Sequence, residues 1–294
     1  SVPGEARQEA RQRRGVRHLD VRRFVPGAAR PRQPPEHPTG PHPGGPAAWL
    51  WLNRPELRNA LNGELQDSLL NALKQLETEK DIRVLVLAGR GQAFCAGGDL
   101  SRMEQAAKMT KAASKAEAGR FAALLYRMHT YPKPLVARVH GAAFAGGMGL
   151  VAACDLVVAA DEAEFCLPEV RIGLVPAMIS PYLVRAIGEQ QARRYILTGE
   201  RLAAREAHRI GFVHECVPVA ELDARVDKLA AQLAQCGPEA LARSKKLLAR
   251  VAKAPISPKL AAETAAVLAD VRAGDEAREG IRSFLEKRRP KWSA

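Results

Sequence analysis

Short apolar runs alternate along this chain with longer segments in which apolar residues recur every three or four positions. The runs at 48–52, 84–87, 135–139 and 156–160 are typical of strands that are buried on both faces. Leucines recur at helical spacing from Leu65 to Leu76, and Asn62 directly ahead of them is a predicted N-cap. The first two-thirds of the chain therefore predict strands that alternate with helices.

The pattern changes after Pro181, where helical spacing predominates. Helices are predicted over residues 181–187, 190–197, 203–210, 222–235, 238–252, 258–272 and 275–289. Strand–helix units followed by a helical region predict an α/β fold. We assign a spiral core to residues 47–218 and a helical C-terminal region to residues 219–294.

Residues 1–46 differ from the rest of the chain. They are rich in Arg, Pro and Gly, contain no Lys and show little apolar periodicity. Such a segment cannot bury enough apolar surface to offset its ordering entropy, so a disordered extension is predicted. Its Arg content also fits a mitochondrial transit peptide, but its acidic residues and scarcity of Ser argue against one. We expect a cytoplasmic protein of bacterial type, with the mitochondrial matrix as the alternative.

Composition argues against several classes of protein. No apolar run approaches the roughly 20 residues that span a bilayer. The five cysteines are scattered without a CxxC pair, which argues against a disulfide framework or metal site and favours a reducing compartment. The net charge of +13 invites a nucleic-acid role, but the basic residues form no single block and aromatic residues make up only 5%. A ligand with several phosphate charges would use part of this excess.

Two glycine-rich segments follow predicted strands. Residues 94–100 (FCAGGDL) come after the run at 84–87, and residues 140–150 (HGAAFAGGMGL) come after the run at 135–139. A turn of this kind that opens a helix leaves backbone N–H groups unpaired, and the helix dipole favours negative charge there. Glycine is needed because a Cβ would block close approach. Two such turns that converge on a carbonyl oxygen would form an oxyanion hole, which is typical of an acyl-activating site.

With further motifs, these segments make the chain resemble the crotonase (enoyl-CoA hydratase/isomerase) superfamily. The further motifs are Asn53-Arg54-Pro55-Glu56, Asn59-Ala60-Leu61, residues 168–174 (PEVRIGL) and residues 284–288 (FLEKR). The resemblance covers about residues 47–292. Within the family, residues 168–181 look most like the methylglutaconyl-CoA hydratase branch of leucine and terpenoid catabolism.

The resemblance implies a fold, a ligand and an assembly. Crotonases have a ββα superhelix core and a helical region that forms trimers, so a trimer or a dimer of trimers is expected. The substrate is an acyl-CoA thioester, in which coenzyme A is part of the substrate and no separate cofactor is expected. The implied catalytic groups are the backbone N–H groups of Ala96 and Gly146 and the carboxyl group of Glu169.

Glu169 is the predicted acid/base. Once the thioester carbonyl is polarised, a positioned carboxyl group must still move a proton and a water. Glu169 lies among apolar residues, where desolvation would raise its pKa toward working pH. The family has a second glutamate after the glycine run, but Gly149 stands at that position. Either Glu169 performs both proton transfers, or another group substitutes, or the reaction needs one acid/base only, as in double-bond isomerisation.

The resemblance also implies contacts with the substrate. Arg58 lies where the family contacts the CoA nucleotide, and Phe284 and Lys287 are expected to reach it from a neighbouring subunit. Their spacing places both on one helix face, although an ordinary amphipathic end helix would show the same pattern. Arg102 is the candidate cation for a distal carboxylate. The remaining implied contacts are Ala60, Gly97, Gly98, Asp99, Gly147 and Gly149, with a structural role favoured for Asp99 and a packing role for His140.

Three functions stay open on the sequence alone. The first is addition of water to a branched 2-enoyl-CoA such as 3-methylglutaconyl-CoA, and the second is Δ3,Δ2-enoyl-CoA isomerisation on the same fold. The third is a non-catalytic CoA- or RNA-binding protein on a crotonase scaffold. Residues 83–115 have too few consecutive lysines to favour RNA. A serine triad is not favoured, because no serine occupies a nucleophile elbow.

Overall fold

The computed structural model describes residues 18–24, 45–99 and 108–293. Its larger sheet is formed by β1 (Leu19–Phe24), β2 (Ala47–Leu52), β3 (Val84–Gly89), β4 (Leu135–Val139), β6 (Leu156–Ala160) and β9 (Glu215–Val217). The strand order is β1-β2-β3-β4-β6-β9. Strand β1 is antiparallel to β2, whereas all other neighbours are parallel. The strands from β2 to β9 therefore end at the same edge of the sheet, where parallel sheets bind ligands.

A second, smaller sheet lies past that edge. It consists of β5 (Ala142–Phe144), β7 (Glu164–Cys166) and β8 (Leu202–Ala203), in the order β5-β7-β8. Strand β5 follows β4, and β7 follows β6, after only a few residues. The chain thus leaves the large sheet and pairs again immediately, which positions the segments that follow β5 and β7.

The helices match the predicted α/β pattern. They are α1 (Gly63–Thr78), α2 (Lys111–His129), α3 (Gly146–Ala152), α4 (Ser180–Thr198), α5 (Ala204–Arg209), α6 (Val219–Ala234), α7 (Pro238–Val251), α8 (Pro258–Arg272) and α9 (Asp275–Leu285). The Asn62 side chain accepts a hydrogen bond from the Leu65 N–H at 2.9 Å, as expected of an N-cap. Gly188, with φ 75°, breaks α4 between its two predicted segments. No helix in the described part of the chain is long and apolar enough to cross a bilayer.

The large sheet is buried on both faces. One face packs against α1 and α2 through Leu85, Leu87 and their neighbours, and this cluster continues to α3 and α4. On the other face, Trp49, Val86 and Val158 pack against the apolar side of α6. Burial on both faces explains why these strands are apolar without alternation. Each fully buried Leu or Val side chain stabilises the fold by about 1.5–3 kcal/mol.

The C-terminal helices are attached mainly at the surface. Among the described residues of this chain, α7 and α8 bury none of their own and α9 buries only Ser283. Polar contacts join the region to the core: Lys245 pairs with Asp155 at 2.6 Å. Arg83, just before β3, donates to the carbonyl oxygens of Cys236 at 2.5 Å and Trp292 at 3.0 Å. Apolar side chains of these helices are exposed, among them Leu248 on α7, Leu268 on α8 and Phe284 on α9.

Two expectations need correction. Residues 1–46 were expected to lie outside the fold, but Leu19–Phe24 form the antiparallel edge strand β1. Leu19 is buried and Asp20 pairs with Arg90 at 2.5 Å, so partners across the sheet hold a segment too short to show periodicity. The helix predicted over 275–289 ends at Leu285, because Lys287 adopts φ 54°. Residues 1–17 and 25–44 lie outside the described range.

Candidate active site

The structure brings the two glycine-rich turns together. The Cys95 N–H donates to the Ala142 carbonyl at 3.0 Å, and the Phe144 N–H donates to the Cys95 carbonyl at 2.9 Å. A Cβ on Gly147 would lie 2.3 Å from the Cys95 carbonyl oxygen, so only glycine allows this approach. A Cβ on Gly97 would lie 3.0 Å from the Ala145 Cβ. The turns are therefore packed backbone against backbone.

Gly146, the oxyanion donor predicted in the second turn, begins a helix. It is the first residue of α3, so its N–H has no acceptor within the helix. Ala145 ahead of it has φ 47° and ψ −119°, and no side chain caps the helix. Ala145 is a non-glycine residue at positive φ, so the turn into the helix is strained. The helix dipole places a partial positive charge at this end.

Ala96 differs from the expectation, because its N–H is not free. It donates to the Arg58 carbonyl at 2.9 Å. This bond belongs to a short pairing of two loops, in which Leu61 N–H also donates to the Gly97 carbonyl at 2.7 Å and Asp99 N–H to the Leu61 carbonyl at 3.3 Å. Sequence spacing could not reveal this pairing, since the loops are about 35 residues apart and neither has strand periodicity.

The loop that carries Arg58 is fixed by buried polar side chains. Asn59, fully buried at φ 56°, accepts from the Arg54 N–H and donates to the carbonyl oxygens of Arg90 and Ala93, each at 2.8 Å. The Arg54 guanidinium donates to the Ala60 carbonyl and pairs with Asp99 at 2.9 Å. Asp99 therefore makes a contact that fixes the loop, and its role at the site stays a prediction. Arg58 itself is exposed, next to the part of the loop that Asn59 and Arg54 hold in place.

The functions of Arg54 and Asn59 were missed, although both lie in the motifs quoted for the family resemblance. Nothing in the local spacing distinguishes a buried arginine from an exposed one. A polar residue that fixes the first glycine-rich turn from a distant loop can be recognised only when that turn is placed. The one hint in the sequence that this loop has a special role was the Arg54-Pro55 pair just ahead of it.

Glu169 provides a carboxyl group with one oxygen that lacks a partner within the described part of the chain. It opens a 3-10 turn, Glu169–Ile172, three residues after β7. Among the described residues its Oε2 is buried without a hydrogen-bond partner. Desolvation raises the pKa of Glu169, opposed by a hydrogen bond from its own backbone. A carboxyl group whose charged form is poorly solvated is suited to exchange a proton near neutral pH.

Gly149 lies where the family has a second glutamate, and the structure fills the adjoining space with apolar groups. Gly149 is buried in α3. A Cβ there would lie 2.9 Å from Ile179 Cγ1 and 3.6 Å from Leu125 Cδ1. A Cβ on Gly146 would meet Leu61 Cδ1 at 2.7 Å and Phe121 Cζ at 3.4 Å. Helix α3 therefore borders apolar side chains at Gly146 and Gly149 and projects no carboxyl group at this position.

The remaining predicted residues are spread over two regions. Ala60 and Gly98 belong to the paired loops, where Gly98 is exposed with open space beside it. Phe284 is 83% exposed on α9, and Lys287 lies beyond the end of that helix, so the shared helix face expected for this pair is wrong. Arg102 falls outside the described residues. No group of three or more potential metal ligands occurs within the described ranges.

Comparison with known proteins gives consistent matches. The sequence model of the family described as Enoyl-CoA hydratase/isomerase matches residues 47–294. A putative enoyl-CoA hydratase of Thermus thermophilus is 41% identical over 253 residues, which are 84% of this chain and 98% of that protein. A 2,3-dehydroadipyl-CoA hydratase of Escherichia coli is 35% identical over 245 residues, 82% of this chain and 92% of that protein. An enoyl-CoA hydratase structure from Shewanella pealeana has a TM-score of 0.82 at 34% identity, with 85% of this chain and 93% of that chain covered.

A parallel sheet whose strands lead into two converging glycine turns, with a desolvated carboxyl group nearby in the chain, defines an α/β enzyme with the crotonase fold. The chain belongs to the enoyl-CoA hydratase/isomerase family. Proteins of this family act on acyl-CoA thioesters, and hydratase is the activity most often given to the relatives.

Proposed function

We propose that this protein is a hydro-lyase that adds water across the double bond of a 2-enoyl-CoA. The observation that carries the proposal is Glu169, whose Oε2 is buried and has no hydrogen-bond partner among the described residues. An unpaired carboxylate oxygen costs free energy unless a substrate or water uses it, and such groups mark functional sites. The N-terminus of α3 supplies the complementary donor at Gly146.

The proposed reaction uses one carboxyl group twice. Glu169 takes a proton from water while the water oxygen adds to C3 of the enoyl group. The double-bond electrons move to the thioester oxygen, where the Gly146 N–H stabilises the enolate. Glu169, now protonated, returns its proton to C2 and the carbonyl reforms. The net change is addition of one water, and a lost oxyanion donor would cost about 3–4 kcal/mol of transition-state stabilisation.

Ala96 is proposed as the second oxyanion donor, on a condition set by its present bond. The Arg58 carbonyl must share or give up the Ala96 N–H when the thioester binds. Arg58 is exposed at φ 49°, on a loop that projects toward solvent. Substrate binding at this loop would then couple coenzyme A recognition to assembly of the oxyanion hole.

The proposed substrate is a branched enoyl-CoA such as 3-methylglutaconyl-CoA. Support comes from Gly149, which leaves an apolar surface of Ile179 and Leu125 in place of a second carboxyl group. The name of the relative that acts on 2,3-dehydroadipyl-CoA indicates that a distal carboxylate is compatible with this family. Arg102 is the proposed partner of such a carboxylate.

Coenzyme A is proposed to bind along Arg58 and Ala60, and to meet Phe284 and Lys287 from a neighbouring subunit in a trimer or a dimer of trimers. The exposed apolar side chains of Ile281, Phe284 and Leu285 support an assembly that covers α9. Sedimentation equilibrium tests this: a protein that stays monomeric at micromolar concentration contradicts the proposed assembly.

Isomerisation is the second candidate, and the same carboxyl group favours it. Moving a double bond from Δ3 to Δ2 needs one base that removes a proton at C2 and returns it at C4, with no water. An absorbance assay of the conjugated thioester separates the two activities over a panel of straight and branched acyl-CoAs. Hydration removes the absorbance of a 2-enoyl-CoA, whereas isomerisation creates it from a 3-enoyl-CoA. Absence of both changes would contradict either activity and favour a CoA- or RNA-binding protein.

A further inference from the structure

We propose that His140 is a positioning residue that holds the two glycine turns at the spacing that the oxyanion hole needs, a role that rests on the proposed function. His140 lies between β4 and β5, at the start of the turn that leads to Gly146. It contacts the first turn twice. Its carbonyl oxygen accepts from the Phe94 N–H at 2.9 Å, and its ring Nε2 lies 2.8 Å from the Gly91 carbonyl oxygen.

The hydrogen on the imidazole is assigned by its two partners. Arg138 Nη1 lies 2.7 Å from Nδ1, and a guanidinium can only donate, so Nδ1 must accept. The ring is therefore neutral with its proton on Nε2, which it donates to the Gly91 carbonyl. Burial and the charge of Arg138 lower the pKa of His140, which favours this neutral form. Asp223 and Glu162 are the acidic groups that face the ring.

Arg138 is itself held in place. It is 9% exposed, and its Nε donates to Asp223 Oδ1 on α6 at 2.7 Å. Its guanidinium also lies 5.8 Å from the ring centre of Trp51. A continuous series of contacts thus joins Asp223, Arg138, His140 and Gly91, from α6 to the first turn. The imidazole cannot rotate without losing both of its side-chain hydrogen bonds.

The backbone around this bridge cannot easily repack. Gly91 has φ +74°, and a Cβ there would lie 2.7 Å from Pro55 Cβ. Gly141 has φ +56°, and a Cβ there would lie 2.1 Å from the Gln92 carbonyl oxygen. The His140 side chain ties together two backbones that already touch. The proposed donors at Ala96 and Gly146 lie a few residues after Gly91 and Gly141. Their separation therefore depends on how His140 holds these two backbone segments.

Three substitutions separate the two ring contacts. His140→Phe keeps the ring shape and removes both hydrogen bonds. His140→Gln keeps a donor that reaches the Gly91 carbonyl, and His140→Asn keeps an acceptor for Arg138 without reaching Gly91. The matched control is His208→Phe, because His208 Nδ1 makes the same kind of bond to the Val213 carbonyl at 3.0 Å, far along the chain on α5.

Two measurements follow the oxyanion hole directly. The first is kcat and KM on the best enoyl-CoA of the panel. The second is the infrared stretch of the thioester carbonyl of bound [1-13C]butanoyl-CoA, a saturated probe that neither hydrates nor isomerises. Hydrogen bonds from an oxyanion hole polarise the carbonyl and lower this frequency. Because the infrared probe needs no turnover, it tests His140 even if the proposed hydration fails.

We expect His140→Phe and His140→Asn to lower kcat by about 10²-fold, since small misplacements of catalytic groups have effects of this size. KM should change less than threefold. The carbonyl shift, which is the lowering of the thioester carbonyl frequency on binding, should be smaller in the variants with lower kcat. His140→Gln should restore at least a tenth of the parent kcat and most of the shift. His208→Phe should alter thermal stability only.

A merely structural His140 would give a different result. All three variants would then lose stability in proportion, with the carbonyl shift and kcat of the folded fraction unchanged. That outcome overturns the proposal, and so does equal impairment of His140→Gln and His140→Asn. If His140→Phe does not fold, the comparison of Gln with Asn decides alone.

Discussion

Ile179 Cγ1 lies only 2.9 Å from where a Cβ on Gly149 would stand. The two residues come from different elements, since Gly149 is in α3 and Ile179 immediately precedes α4. Ile179 is buried, so its side chain has little room to move. The space that a side chain on Gly149 would need is thus occupied by an apolar side chain from the residue that precedes α4.

Gly149→Glu is expected to abolish activity on branched enoyl-CoA substrates and to destabilise the protein. The new side chain must displace Ile179, and overpacking of this kind costs about 1–3 kcal/mol before any charge is buried. If it shares the proposed site with Glu169, the second carboxyl group would also raise the pKa of at least one of the two. Urea denaturation and turnover of branched and straight enoyl-CoAs check both effects.

Gly119→Glu is the matched control, because Gly119 lies in α2 and a Cβ built on it would have no neighbour within 4 Å. It should be neutral or stabilising by about 0.5–1 kcal/mol. Faster hydration of branched substrates by Gly149→Glu would contradict a site built around one glutamate and place the isomerase first.

Glu169→Gln is expected to lower kcat by about 10²–10⁴-fold while CoA-thioester binding changes little. The amide keeps the shape of the side chain but cannot exchange a proton at neutral pH. Turnover assays should show the loss of kcat, and calorimetric titration should show little change in CoA-thioester binding. Glu221→Gln, at an exposed position in α6, serves as the control. Activity within about tenfold of the parent would remove Glu169 from the mechanism.

The same substitution should stabilise the protein at neutral pH. Because the folded-state pKa of Glu169 is raised above 4.5, the folded chain binds more protons there than the unfolded chain. This group therefore lowers the free energy of unfolding as pH rises from about 4.5 through the raised pKa. The stability difference between Glu169→Gln and the parent should be positive at pH 7 and vanish below about pH 4. A constant difference across this range would contradict the raised pKa.

Leu19→Ala tests whether the N-terminal edge strand belongs to the fold. Leu19 is 4% exposed and packs in the main core, so its truncation should cost about 2–5 kcal/mol. Val21→Ala in the same strand, where Val21 is 42% exposed, should change stability by less than about 1 kcal/mol. Urea midpoints for the two variants check the contrast. Equal midpoints would contradict a role of residues 19–24 in the fold and would favour the disordered extension predicted from the sequence.

Lys287→Ala is expected to weaken coenzyme A binding about fivefold at low salt, because it removes a phosphate contact at the surface. The difference should shrink as salt is added, since exposed charges are screened. Lys253→Ala, also exposed but at the end of α7, is the control. Calorimetric titration with free coenzyme A at two salt concentrations makes the comparison. An unchanged dissociation constant at low salt would exclude Lys287 from the nucleotide site.

The sequence predicted the fold well where apolar pattern and glycine chemistry agree. The buried parallel strands and the helix that begins after Asn62 were recognised, because each depends on residues close together in the chain. Strand β1 was missed because its partners, β2 and Arg90, are remote and its own sequence is rich in arginine. Edge strands depend on their neighbours more than on their own composition.

The site was predictable at the level of residue types and not at the level of hydrogen bonds. Glycines at the turns and Glu169 follow from local chemistry. The bond from Ala96 to Arg58, and the space filled by Ile179 beside Gly149, join residues far apart in the chain. Such pairings form only when the loops pack against each other, so no local sequence pattern predicts them.

The long sequence separation between Arg83 and its hydrogen-bond partners affects how the protein can fold during synthesis. Its guanidinium binds the carbonyl of Trp292, which is 209 residues further along. At the start of β3, this side chain leaves the ribosome while most of its partners are still to be synthesised. The core sheet can pair as its strands emerge, but this fastening must wait for the last helices. Nascent chains stalled in the C-terminal region would therefore carry a paired sheet with Arg83 still in water.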